Sequence, residues 1–338
     1  MTKKIDIFKQ IKNQIDQSDR ILLHLHPSPD QDSAGSALAF FHYLRSQNKS
    51  VTLISGDSQL PDYLKILPGS ENIINKNYLQ LDLSQYDLFI ILDTSAPNQI
   101  SKISEVVFPK TLKTIVVDHH SSNTNFADIN LVDKKSPATA QIVYQLLKYF
   151  KADITKEISI CLYLGMYGDT GGFKYSNTSF LTYQIATNLV KKVPDFYEYI
   201  FKIENSNSPS LLVARGLALT NIKNFLNNHV AISTITNKNL RSYRLKNEEF
   251  STGDIANLLK SVVGWDIGIC LIETEPKVCK VSFRTRDSDK YDVSLIAQKA
   301  GIGGGHKAAA GTTIYKSPNA AIKHLVATIS EIYPDLLT

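Results

Sequence analysis

The sequence predicts an α/β fold: an N-terminal domain with a mainly parallel sheet flanked by helices, then a smaller C-terminal α+β domain. Three observations predict it. Short Leu-rich or β-branched runs, each followed by turn or acidic residues, read as strands buried on both faces. Between the first two runs lies a stretch with helical apolar spacing, which makes a β-α-β unit. Beyond a polar and aromatic segment past mid-chain, the pattern changes to strands joined by a hairpin.

In order, the strands are expected at Arg20–Leu25, Val51–Ser55, Leu88–Leu92 and Thr114–Val117, with a helix at Gly35–Gln47 marked by Leu38, Phe41 and Leu44. Helices follow at Ala138–Phe150, Thr155–Tyr167 and Thr178–Val190. Residues 193–210, with Asn-Ser-Asn-Ser-Pro, read as a linker or hinge. After it we expect a helix near Leu211–Leu226 and strands at His229–Ile235, Asp266–Ile272 and Val278–Arg284, the last two joined through Glu273–Lys277. Helices at Thr252–Val262, Val293–Ala300 and Ser317–Ile332 complete the chain. At about 150 residues per domain, 338 residues make two domains. We place them at 1–192 and 211–338.

Composition excludes several classes. With 43% hydrophobic and 20% charged residues, and Gly 16 plus Pro 12, the chain is neither disordered nor collagenous. No apolar run is long enough to span a membrane, and the polar first twenty positions lack a signal peptide's apolar stretch, so a cytoplasmic protein is expected. Three scattered cysteines, Cys161, Cys270 and Cys279, read as core thiols. A net charge of +5 suits anionic partners without marking a DNA-coating protein.

Acidic and imidazole residues gather at the ends of expected strands, where an open α/β sheet binds its ligands. His24, His26, Asp30 and Asp32 follow the first strand; Asp93 follows the third; Asp118, His119 and His120 follow the fourth; and Asp169 ends a helix, in Asp-Thr-Gly-Gly-Phe. This nitrogen and oxygen donor set, with no cysteine, suits divalent ions such as Mn²⁺. Two ions roughly 3.5–4 Å apart are the usual device for displacement at phosphorus, so hydrolysis of a phosphate ester follows. Blander readings stand beside these. Asp93 alone could cap a turn, His24 could be a packed imidazole, and Asp118 could orient the site through hydrogen bonds. His42, His229 and His324 have no acidic neighbours in their patterns and receive no role.

The C-terminal half holds Gly301-Ile302-Gly303-Gly304-Gly305-His306-Lys307, whose glycines can bring backbone N–H groups to an anion or simply make a turn. Arg284 and Arg286 share a strand face and could present planar donors to a phosphate, or be ordinary surface residues.

Taken together these motifs resemble the DHH phosphoesterase superfamily with its DHH-associated C-terminal domain. His26 to Ser36 matches the first motif, with Ser28 where Asn is usual; Asp93, Asp118-His119-His120 and Asp169 to Phe173 match the next three. Gly303 to Gly311 matches the glycine-rich C-terminal motif, with Ile302 replacing a fourth glycine, and Ser282 to Thr285 resembles the segment before it. The resemblance implies that His26, Asp30 and Asp93 hold one metal and Asp32, Asp93, His119 and Asp169 another, with Asp93 bridging and a bridging hydroxide attacking phosphorus. It implies that His120 contacts the scissile phosphate, supported by Asp118. Arg284, Gly304, Gly305 and His306, with Arg286, would hold the substrate's terminal phosphate or base, in a cleft between the domains. The compact architecture resembles the stand-alone nanoRNases and pAp phosphatases. The expected activity is hydrolysis of very short RNA, such as pApA, to mononucleotides, with pAp 3′-phosphatase activity, Mn²⁺ (or Co²⁺ or Mg²⁺) as cofactor, and a homodimer. A cyclic di-AMP phosphodiesterase, or a non-catalytic nucleotide-binding protein, are the alternatives.

Overall fold

A computed structural model describes residues 2–101, 103–246 and 252–337. The chain divides into two compact units, Met1–Ser206 and Asn207–Thr338.

The first unit runs α1 (Thr2–Asp16), β1 (Arg20–Leu25), α2 (Gln31–Ser46), β2 (Ser50–Ile54), β3 (Ile73–Ile74), β4 (Leu88–Leu92), β5 (Lys113–Asp118) and β6 (Ile129–Val132). It continues through α3 (Thr139–Tyr149), α4 (Lys156–Asp169), α5 (Phe180–Val190) and α6 (Phe196–Glu204). The strands form one parallel sheet in the order β3-β2-β1-β4-β5-β6. Both faces are buried, which is why β1, β4 and β5 are apolar without alternation. Leu23, Ile90 and Val117 face one core, shared with the helices; Leu22, Phe89, Ile91 and Val116 face a second, closed by Tyr78, Ile100 and Leu112. The polar N-terminus conceals α1, whose buried Phe8, Ile11 and Ile15 recur at helical spacing.

The second unit runs α7 (Pro209–Thr220), β7 (Ile222–Phe225), β8 (Val230–Ile235), α8 (Asn237–Ser242), α9 (Thr252–Lys260), β9 (Ile267–Glu275) and β10 (Val278–Thr285). Then come α10 (Val293–Ala300), β11 (Ile302–His306), β12 (Ala309–Ile314) and α11 (Pro318–Ile332). Its separate sheet, ordered β11-β12-β10-β9-β8-β7, is antiparallel except where β8 meets β9. Val281 and Phe283 pack with α10 and α11 on one face; Cys270 and Ile272 pack with α7 and α9 on the other.

Three expectations are corrected. The segment 193–210 carries α6, because Phe196, Tyr199 and Ile203 form an apolar stripe against the first core. The helix expected to Leu226 ends at Thr220; Leu226, Asn227 and Asn228 take left-handed φ of 51°, 52° and 68°, a tight reversal that pairs β7 with β8. The glycine-rich segment is β11, an edge strand of the second sheet rather than a turn. All three cysteines are buried and free, as expected. Among the described residues, no helix is long and apolar enough to cross a membrane.

Candidate metal centre

Strands β1, β4 and β5 are neighbours, about 4.8 Å apart. Their carboxyl ends therefore set His26, Asp93 and the Asp118-His119-His120 run side by side. The N-terminus of α2 adds Asp30, whose carboxylate accepts the Ser33 N–H as the helix cap, and Asp32 in its first turn. The C-terminus of α4 supplies Asp169. Two glycines make this convergence possible. A Cβ on Gly35 would stand 2.4 Å from the Cys161 carbonyl oxygen, and one on Gly165 would stand 2.7 Å from Ala140 Cβ, so α2, α3 and α4 meet almost backbone to backbone.

The result is three overlapping groups: His26, Asp30 and Asp93; Asp32, His119 and Asp169; and Asp93, His119 and His120, each with donor atoms within 4.8 Å of one another. Asp93 faces two ways. Its Oδ2 lies 3.4 Å from His26 Nε2, while its Oδ1 lies 3.6 Å from His119 Nε2 and 3.7 Å from His120 Nδ1. The residue is only 2% exposed and holds φ at 54°, a left-handed conformation that costs a non-glycine residue roughly 1–2 kcal/mol. Its N–H donates to the Val117 carbonyl at 2.9 Å, which pins this strained turn to β5.

The imidazoles are set by their far nitrogens. Nδ1 of His26 lies 2.9 Å from the Pro27 carbonyl, and Nδ1 of His119 lies 3.3 Å from that of Ser136. Each leaves Nε2 pointing at carboxylates. His119 Nε2 is buried without a hydrogen bond, 3.1 Å from Asp169 Oδ2 and 4.0 Å from Asp32 Oδ2. A buried nitrogen aimed at three carboxylates is the arrangement a divalent cation completes, so the donor set fits such ions. Asp118 stands outside the three groups. Its Oδ1 lies 2.7 Å from His120 Nδ1, and its Oδ2 accepts from Asn123 Nδ2 at 2.7 Å.

With only its own charges to balance, the cluster holds protons. Burial pulls the His26 and His119 imidazoles down, but the facing carboxylates override it and raise them to about 11 and about 10. Burial pushes Asp169 up to about 6, and burial with the charges of Asp93 and Asp169 lifts Asp32 well above the usual carboxylate range. These are the protons a cation would displace.

The structure brings His26, Asp30, Asp32, Asp93, His119, His120 and Asp169 together, with Asp118 beside His120. Sequence reasoning missed what holds them. Asp32 accepts the backbone N–H groups of Thr139 and Ala140 at 2.6 and 2.8 Å, and the Thr139 hydroxyl donates to Asp93 Oδ1 at 2.9 Å. Gly165, one turn before Asp169 in an apolar helix, was the available signal; Thr139 left none. His24 is the packed imidazole: fully buried against Phe89, both ring nitrogens without a hydrogen bond, lowered to about 3 chiefly by burial.

The second unit gives a different picture. Arg284 is on β10, paired with Ala309 and Gly268, and Gly304, Gly305 and His306 line the edge strand β11. Arg286 does not share the strand with Arg284. It lies past the end of β10 and donates to the Lys260 and Val262 carbonyls at 3.1 and 2.9 Å, closing the C-terminus of α9. His229 does have an acidic neighbour, against expectation: its Nδ1 lies 2.6 Å from Asp266 Oδ2, because the starts of β8 and β9 are paired.

Comparison with known proteins agrees with this layout. Residues 20–166 match the DHH family, N-terminal domain, and residues 222–333 match the DHHA1 domain. The chain is 26% identical over 294 residues to the bifunctional oligoribonuclease and PAP phosphatase NrnA of Thermus thermophilus, covering 87% of this chain and 84% of that one. It is 26% identical over 315 residues to the protein of the same name from Mycoplasma genitalium, covering 89% and 91%. Among solved structures, an exopolyphosphatase-related protein from Bacteroides fragilis superposes over 100% of this chain and 98% of its own with a TM-score of 0.90 at 28% identity. With its metal motifs in the first unit and its glycine-rich strand in the second, the chain belongs to the DHH family, as a DHH N-terminal domain followed by a DHHA1 domain.

Proposed function

We propose that this protein is a two-metal phosphoesterase that hydrolyses very short oligoribonucleotides, such as pApA, to mononucleotides and also removes the 3′-phosphate of pAp. The observation that carries the reading is Asp93, one carboxylate with its two oxygens turned to two different ligand groups. The two relatives named for oligoribonuclease and PAP phosphatase activity, aligned over most of both chains, support the substrate class.

His26, Asp30 and Asp93 would hold one ion, and Asp32, Asp93, His119 and Asp169 the other, Mn²⁺ being the best match to this donor set. When bound, such ions polarise phosphoryl oxygens and activate water for in-line attack. The chain's own residues do the rest. Burial lowers and the Asp118 carboxylate raises the His120 pKa, with the net direction upward. His120 is proposed to donate an N–H to the phosphoryl oxygen on which charge develops, and Asp118 holds its ring in place. Arg284, Gly304, Gly305 and His306 are proposed to bind the substrate's terminal phosphate or base. Arg286 is proposed with them, its Nη1 also donating to the Lys260 and Val262 carbonyls. A cytoplasmic homodimer completes the proposal.

The test is initial rates with Mn²⁺ on pApA, an RNA pentamer, pAp, cyclic di-AMP and pyrophosphate. Fast release of AMP from pApA and the pentamer, with turnover of pAp, is expected. Equal opening of cyclic di-AMP would make it a signalling phosphodiesterase, and no turnover of any substrate would overturn the reading.

A further inference from the structure

We propose that Thr139 is a positioning residue that fixes the rotation of the Asp93 carboxylate, so that one oxygen faces each ligand group, and that the first turn of α3 anchors Asp32 beside it. The inference rests on the metal reading above.

Helix α3 starts without a side-chain cap of its own: its cap position is Ala138, which has no acceptor. The acceptor comes from α2 instead. Both oxygens of the fully buried Asp32 take the first two N–H groups of α3, at 2.6 and 2.8 Å, so Asp32 caps a helix more than a hundred residues away in sequence. The same Thr139 that supplies the first N–H sends its hydroxyl 2.9 Å to Asp93 Oδ1. One residue thereby ties together carboxylates from α2 and from the end of β4.

The consequence concerns rotation. A carboxylate turns about its Cβ–Cγ bond in a broad, nearly two-fold well, so nothing intrinsic to Asp93 fixes its plane. The Thr139 hydroxyl does. It holds Oδ1 on the side of His119 and His120, at 3.6 and 3.7 Å, which leaves Oδ2 toward His26 at 3.4 Å. Each carboxylate oxygen has two lone pairs, so the hydroxyl occupies one on Oδ1 and leaves the other for a cation. A β-branched side chain suits the task, because its χ1 is stiff. The two halves of the centre are thus in register before ions arrive.

Thr139→Val removes the hydroxyl while keeping the branching, the volume and the backbone N–H. Thr139→Ser keeps the hydroxyl. Mn²⁺ binding to the metal-stripped full chain is measured by calorimetry, and electron paramagnetic resonance reports whether bound ions are spin-coupled. Wild type is expected to bind two Mn²⁺ with the signature of a coupled pair. Thr139→Val is expected to weaken one of the two ions at least tenfold and to lose the coupled signal at two equivalents, and Thr139→Ser to restore both. Circular dichroism checks folding, and Thr139→Ala replaces the valine variant if that one unfolds. Two tight, coupled ions in a folded Val or Ala variant would overturn the role of Thr139 alone. A wild-type chain that takes up no Mn²⁺ would overturn the metal reading, and this inference with it.

Discussion

Asp32 and His119 have similar neighbours and different duties, and single substitutions separate them. His119→Ala removes one donor atom and leaves the first turn of α3 its acceptors, and turnover is expected to vanish. Asp32→Ala is expected to abolish turnover too. It also strips the first turn of α3 of its acceptors in a buried setting, which costs about 1–3 kcal/mol, readable in a urea titration. An Asp32→Ala variant as stable as the wild type would contradict the capping role. The protons held at the site predict a pH dependence with a definite sign. His26 and His119 are raised from 6.5 to about 11 and about 10. A group raised in the folded state binds its proton more tightly there than when unfolded. Its stabilisation of the metal-free protein is complete below pH about 6.5 and lost as pH rises toward about 10–11. Metal ligation needs the neutral imidazoles, so Mn²⁺ affinity is expected to rise across that same window, with proton release visible as a buffer-dependent calorimetric heat. An affinity flat with pH would refute the assignment of these two nitrogens as ligands.

At the level of elements, the site depends on how closely three helices approach. Glycines 35 and 165 allow it, and even one methyl at Gly35 would press on a backbone oxygen that has nowhere to move. Gly35→Ala is therefore expected to destabilise by about 1–3 kcal/mol and to weaken Mn²⁺ binding, because parting α2 from α4 parts Asp32 from Asp169. Gly216, inside α7, has nothing within 4 Å of its missing Cβ. Gly216→Ala is expected to stabilise by about 0.5–1 kcal/mol and leave metal binding alone. Thermal melts with and without Mn²⁺ check both. The elements also show where sequence reading succeeds. Strands β1, β4 and β5 announce themselves because burial on both faces demands unbroken apolar runs. The amphipathic α6 reads as a linker because its aromatics sit among Asn and Ser, and the glycines of β11 read as an anion cradle or a turn because glycine carries no strand signal. Both are decided by what they lie against.

In the molecule as a whole, the first unit concentrates five carboxylates and three imidazoles at one end of its sheet. Ions that bind only the folded chain stabilise it by mass action, about 2.7 kcal/mol at a hundred times the dissociation constant. Mn²⁺ is expected to raise the unfolding temperature of the wild type and not of Asp93→Asn, whose carboxylate both ligand groups share. A common rise in both proteins would mean the ions stabilise from somewhere else. Nearly every proposed ligand is legible in the sequence, because acids and imidazoles follow apolar strands in recognisable order. The sequence by itself determined the parallel sheet, the two-part organisation and the chemical identity of the donors, all of which rest on local pattern and residue type. Only the tertiary structure decided how such groups are held: Asp32 capping α3, Thr139 orienting Asp93, and Arg286 closing the end of α9. These are contacts between segments far apart in the chain, made by backbone groups and small side chains, and neither periodicity nor composition records them.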